Sequence, residues 1–237
     1  MKDPAIDALL LLQTYDMRRI ALEGRIAEGP KLMAQLDAKV DRENADFEAK
    51  RKALSDLERA RSQLRTQRRS LEAQVAKYKV QQTEVRKNEE YQALSKQIAE
   101  SEAKAGDMET EELDLLFQID SAKARVEEDE KEHRQRLAAL DEMRAQLSAQ
   151  LAEFEKERQA EILAAEQAAG KVDPVYLKAY EQVKKMGKRP PFVAPIQNHV
   201  CSGCHIRASG SDVADSKNAP TKPIFCGNCG RMVYAPQ

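Results

Sequence analysis

The residues of this chain best placed to do chemistry are four cysteines, Cys201, Cys204, Cys226 and Cys229, all within the last 37 of its 237 residues. They form two C-x-x-C pairs, Cys201-Ser-Gly-Cys204 and Cys226-Gly-Asn-Cys229, with 21 residues between them. Each pair can sit on a tight knuckle that aims both sulfurs at one centre. Two knuckles supply the tetrahedral, all-thiolate shell that suits Zn²⁺. Gly203, Gly227 and Gly230 lie at or beside these turns, where the absence of a Cβ eases the bend. A redox C-x-x-C would need a βαβ context, which the neighbouring residues do not offer. An iron–sulfur cluster fits the knuckle spacing less well. His199 and His205 stand close enough in sequence to replace a thiolate. Four cysteines already close the shell, so both histidines are expected on the surface or hydrogen-bonded around it.

A closed shell has no position for water or substrate. The expected role is therefore structural, one zinc folding a segment of roughly 40 residues that is too poor in apolar surface to fold alone. Paired cysteines at metal spacing also point to a reducing compartment, the cytoplasm, rather than to a disulfide framework. Elsewhere the chain shows no nucleophile–base pairing and no phosphate-binding glycine loop, so it is expected to be non-enzymatic. From Lys171 onward ten Lys and Arg face four Asp and Glu. Lys184, Lys185, Lys188 and Arg189 concentrate that excess beside Tyr180 and Phe192, a candidate RNA- or DNA-binding surface with stacking groups. Lysines at the end of a helix also favour its dipole with no nucleic acid present.

The elements that must carry the cysteines follow from composition and periodicity. Charged residues make up 33%, aromatics 5%, tryptophan is absent and the net charge is −1. That usage belongs to long helices and not to one rounded core, and it gives no general pull toward nucleic acid or acidic membranes. The apolar run Ala8 to Leu12 is too short to span a membrane. A first helix is expected from Asp3 to Glu28, with Ile6, Leu9, Leu10, Met17 and Ile20 on its apolar face, Gln13 interrupting, and Gly29-Pro30 as its stop. From Met33 to Tyr78, steps of three and four meet ten apolar residues in fourteen, broken by Glu43, Lys50, Arg61 and Arg68. Such long charged side chains can lay their stems along a seam and keep their heads wet. A third helix is expected from an N-cap at Asn88 to about Ala169, with a seam that includes Tyr91, Leu94, Ile98, Leu115, Ile119 and Leu147. In that seam Asp129, His133 and Arg136 fall together, where it should loosen or open to solvent, and Gly106 is a candidate bend.

The first two segments together match the third at about 80 residues, and a tight turn near 86–88 joins them. The fold class is therefore mainly α: a long antiparallel coiled-coil hairpin, on the order of 100 Å long, with a small C-terminal β zinc ribbon. Two separate helices in a parallel homodimer would be the other way to bury both stripes. Residues 1–170 are assigned to the hairpin and 171–237 to a short helix plus the ribbon. In the second part Asp173-Pro174 starts a helix that Gly187 ends, and Pro190-Pro191 and Pro195 keep the chain extended through Phe192, Val193 and Ile196.

Two stretches resemble a known family. Val85-Arg-Lys-Asn88-Glu-Glu90-Tyr91-Gln-Ala-Leu94 is similar to the hairpin signature of the bacterial four-cysteine zinc-ribbon, coiled-coil proteins, which commonly reads Thr-Asn-Lys-Glu-Tyr-Gln-Ala-Leu. The two knuckles, continued by Cys229-Gly-Arg-Met-Val-Tyr234, resemble the family's ribbon. The resemblance implies a helical hairpin, zinc on the four cysteines, and a signature at Asn88, Glu90, Tyr91 and Leu94. It further implies adaptor or chaperone work on flagellar or related type III secretion components, or nucleic-acid binding; both monomer and dimer fit it. The chain departs from the family at Arg207 to Pro220, which is polar and expected to be a loop.

Overall fold

The structure, a computed structural model, describes residues 4–217 and 222–236. The expected helix start at Asp3 and the end of the inter-cysteine stretch at Pro220 lie outside the described residues. Two helices, α1 (Pro4–Glu84) and α2 (Asn88–Ala169), form the hairpin. After them come α3 (Pro174–Lys185), β1 (Val193–Gln197), β2 (Val200–Cys201), α4 (Gly210–Lys217) and β3 (Met232–Tyr234). By internal contacts the chain groups into a ribbon unit, Met1–Ala34 with Ala145–Gln237, and a turn unit, Gln35–Arg144. The division crosses both long helices.

The Gly29-Pro30 stop is corrected: α1 runs straight through, with Pro30 inside it. An interior proline forfeits a backbone hydrogen bond and costs about 3 kcal/mol. Packing offsets this, because Gly29 is buried and a Cβ there would lie 2.6 Å from the Leu151 side chain of α2. That glycine is a seat for the opposite helix, not a terminator. Of the expected apolar face, Ile6 and Leu9 are buried and Leu10 and Ile20 pack against the same core, so Met17 is the one member that does not hold. Leu9 and Leu12 are buried with Gln13 and Asp16, while Met17 is 40% exposed.

In the turn unit the two helices are antiparallel, and their charged seam residues find one another. Glu43 pairs with Arg136 at 3.5 Å, Lys50 with Asp129 at 2.6 Å, and Arg61 and Arg68 both reach Glu112, at 3.8 and 3.2 Å. Each break in the α1 heptads thus faces an opposite charge on α2. Glu112 is buried among them, and Ile119, two turns further along α2, is buried as well. Where Asp129, His133 and Arg136 cluster, the helices leave a cleft of about 270 Å³, with the His133 ring stacked on Phe47 at 4.6 Å. Gly106 lies within an uninterrupted α2.

At the turn, the Lys87 carbonyl accepts the Tyr91 N–H at 3.1 Å, so Lys87 holds the cap position expected for Asn88, and Asn88 is the first helical residue. Asn88, Glu90 and Tyr91 are exposed and Leu94 is half-buried. Gln82 donates to the Ser95 hydroxyl across the turn at 2.6 Å, and Lys87 pairs with Glu90.

Candidate metal centre

The ribbon is a three-stranded sheet of order β2-β1-β3, with β1 antiparallel to β2 and parallel to β3. β1 and β2 are joined through Asn198 and His199, both at positive φ (51° and 62°), the geometry of a tight two-residue hairpin turn. His199 is therefore a turn residue and exposed. The first knuckle leaves β2, and the second precedes β3.

The knuckles are built alike. The Cys201 carbonyl accepts from the N–H groups of Cys204 and His205, and the Cys226 carbonyl accepts from Gly230. The residue after the second cysteine of each pair is left-handed, His205 at φ 59° and Gly230 at φ 68°. Of the three knuckle glycines, Gly230 alone serves the turn as expected. Gly203 is required for space, because a Cβ there would sit 2.6 Å from Cδ of Arg231 and 3.2 Å from Cβ of Ala194. Gly227 offers its N–H to the Asp212 carboxylate at 3.2 Å. The first knuckle takes the strained conformation with a histidine, which accounts for His205 without any role in metal binding.

All four Sγ atoms lie within 4.8 Å of one another, and those of Cys204 and Cys226 are 4.0 Å apart. Tetrahedral Zn–S bonds of about 2.3 Å place sulfurs roughly 3.8 Å from each other, so this donor set fits one zinc. Cys201, Cys226 and Cys229 are buried and Cys204 is partly open. Burial pushes the Cys201 thiol up to about 12, against the pull of the Gly203 and Cys204 N–H groups. Cys229 is also buried, but hydrogen bonds from the Arg231 backbone and side chain bring it down to about 7. Four thiolates this close need a cation between them, and the centre is that of one structural zinc.

The stretch expected to be a loop after Arg207 contains α4, and this is a second correction. Ser209 caps it, accepting the Asp212 N–H on its hydroxyl at 3.0 Å, and Val213 and Ser216 are buried. The Ser209-x-x-Asp212 spacing was the available sign of a helix start. Through Asp212, α4 holds the second knuckle.

The ribbon unit fastens the sheet to α1 and α3. Gln13 lies on the buried face of α1 and reads β1 as a neighbouring strand would. Its amide N–H donates to the Val193 carbonyl at 3.0 Å, and its oxygen accepts the N–H groups of Phe192 and Val193 at 2.7 and 2.6 Å. Three residues on, Asp16 is 2% exposed and accepts from the Tyr180 hydroxyl at 2.8 Å, Lys184 at 3.0 Å and Arg19 at 3.2 Å. Burial, then the neighbouring carboxylate, hold the Tyr180 proton on well above the usual phenol range. As expected, Asp173 caps α3, accepting the Val175 N–H at 2.8 Å, and Gly187 follows it at φ 66°.

The basic cluster is divided by these contacts. Lys184 is paired with Asp16 and Glu181, and Lys188 donates to the Cys229 carbonyl. Lys185 and Arg189 are exposed. Tyr180 and Phe192, expected as stacking groups, are instead buried (0% and 3% exposed) and meet edge to face at 5.7 Å. Their aromatic surface is worth more in the core than in water.

Residues 200–233 match the family described as the C4-type zinc ribbon domain. The fold is similar to the solved structure of CT398 from Chlamydia trachomatis, with a TM-score of 0.81, 20% identity and 98% of each chain covered. A Mycobacterium smegmatis structure matches with a TM-score of 0.78, 16% identity and 99% of both chains. The HP0958 protein of Helicobacter pylori matches with a TM-score of 0.54 and 18% identity, over 98% of this chain and 97% of that one. No curated protein matches the sequence. Among the described residues no helix is long and apolar enough to cross a membrane.

Proposed function

We propose that this protein is a non-enzymatic adaptor that binds other proteins through its helical hairpin, with the zinc serving only to fold the ribbon. The observation that carries this reading is the exposure of large apolar side chains on α2, with Phe117 72% and Leu113 51% open to solvent. Apolar surface of that kind on a helix marks a contact site for another protein. The metal centre points the same way: its four thiolates fill a tetrahedral shell and leave no position for a substrate. The reduced thiolates suit the cytoplasm. The resemblance to secretion-associated zinc-ribbon proteins makes flagellar or type III secretion components the first partners to test.

Nucleic-acid binding by Lys184, Lys185, Lys188 and Arg189 is the competing reading. The internal use of Lys184 and Lys188 and the burial of Tyr180 and Phe192 weigh against it. The test is a tagged pull-down from the native host after mild crosslinking, with and without nuclease. A discrete protein partner that survives nuclease supports the adaptor. Recovery of RNA or DNA, with partners lost after nuclease, overturns it in favour of the basic cluster.

A further inference from the structure

A second heptad stripe runs along α2, on a face left exposed among the described residues. Steps of four and three from Ala99 give Ala103, Gly106, Leu113, Phe117 and Ala124, with Thr110 and Asp120 completing the series; all are exposed. The seam that packs on α1 contains Glu112 and Ile119, both buried. At 100° per residue, Leu113 and Phe117 lie roughly 100–140° around the helix from Glu112. This stripe is therefore separate from the intramolecular seam, and about 25 residues long.

Gly106 separates the stripe from ordinary helix surface. A glycine inside a helix costs about 1 kcal/mol against alanine. At Gly29 that cost is matched by the Leu151 side chain seated against it, whereas nothing lies within 4 Å of a Cβ at Gly106. A flat, small-residue segment beside an exposed Leu and Phe is the surface on which another helix can approach closely. Charge decides which helix. Glu109 and Asp120 lie along one edge of the stripe, Asp107 and Asp114 along the other, and none of the four takes part in an ion pair among the described residues. Glu102, by contrast, is paired with Lys79 and Glu112 with Arg61 and Arg68.

We propose that the Ala99–Ala124 face of α2 docks one amphipathic helix of a partner protein, whose apolar stripe is flanked by lysine and arginine. Such flanks complement the four carboxylates, as residues beside a coiled-coil seam set partner choice. A second copy of this chain would set the same carboxylates against each other and is disfavoured. The proposal rests on the adaptor reading and names the surface and the partner chemistry.

The test uses the full zinc-loaded chain and two synthetic fluorescent peptides with identical Leu/Ala heptads, one flanked by Lys and its twin by Glu, read by anisotropy. The Lys-flanked peptide should bind and its twin should not. Phe117→Glu should weaken binding at least about tenfold. Gly106→Leu should weaken it similarly while leaving helicity and Tm unchanged or higher, which a merely structural role would not do. Equal binding by the parent and both variants, equal binding of the two peptides, or binding of neither overturns the proposal. So does sedimentation showing a dimer that Phe117→Glu dissociates, since the occupant is then a second copy. In the nuclease-treated pull-down, partners recovered equally by the parent and Phe117→Glu leave the adaptor reading standing and overturn the stripe. No partner with the parent chain overturns both.

Discussion

The ribbon unit and the turn unit solve the same problem, holding α1 and α2 together, by different means. In the ribbon unit a continuous apolar core joins Leu9 and Leu12 of α1, Ala165 and Ala168 of α2, Tyr176, Tyr180 and Val183 of α3 and the sheet residues Phe192, Val193 and Met232. The polar side chains buried in that core on α1, Gln13 and Asp16, both have hydrogen-bond partners from α3, β1 or their own helix. The turn unit buries little more than Val75, Ile98 and Ile119, and Glu112 lies in the same interface. Its register is set by opposite charges meeting at Glu43, Lys50, Arg61 and Arg68. The lesson is that a polar residue on an apolar stripe has two distinct uses. In the core it reads a backbone or a buried hydroxyl, and in the two-helix seam it finds a partner charge.

The largest effect should follow from breaking the metal shell. Cys226→Ser leaves three thiolates and should abolish stable zinc binding, with β1, α4 and β3 losing order by circular dichroism and proteolysis. Next come the polar anchors. Asp16→Ala strands the Tyr180 hydroxyl and Lys184 in or near the core and should cost about 3–5 kcal/mol in urea unfolding. Gln13→Ala removes three hydrogen bonds to β1 and should cost about 2–3 kcal/mol. In the turn unit the effects should be smaller. Glu112→Ala should lower Tm by a few degrees, whereas Glu112→Leu should recover most of it, because an apolar seam residue can replace an ion pair. If Glu112→Ala proved as damaging as Asp16→Ala, the contrast between the units would fail. The smallest change separates the glycines of α1: Gly24 has nothing within 4 Å, so Gly24→Ala should stabilise by up to about 1 kcal/mol.

The sequence carried the hairpin because heptad spacing and short turns are local signals, and it carried the zinc site because C-x-x-C spacing is nearly sufficient for a thiolate shell. Three things were not legible. The Gly29-Pro30 pair reads as a break until Leu151 is seen to lie against Gly29, a contact between residues far apart in the chain. Gln13 read as a flaw in a stripe, because its partners are 179 and 180 residues away. Tyr180 and Phe192 looked like stacking surface beside lysines, and only the packing of α3 on α1 and β1 puts them inside. By contrast α4 could have been found from Ser209 and Asp212, a local cap signal hidden by the polarity of the stretch around it.

The central claim, that zinc organises the ribbon unit while the turn unit holds itself by its seam, is tested most directly by hydrogen exchange on the full chain before and after zinc chelation. The account predicts that amides of β1, the two knuckles and α4 lose protection once zinc is removed, while the seam residues around Val75, Ile98 and Ile119 keep theirs. Protection lost equally in both units, or a ribbon still protected with its zinc gone, would contradict it.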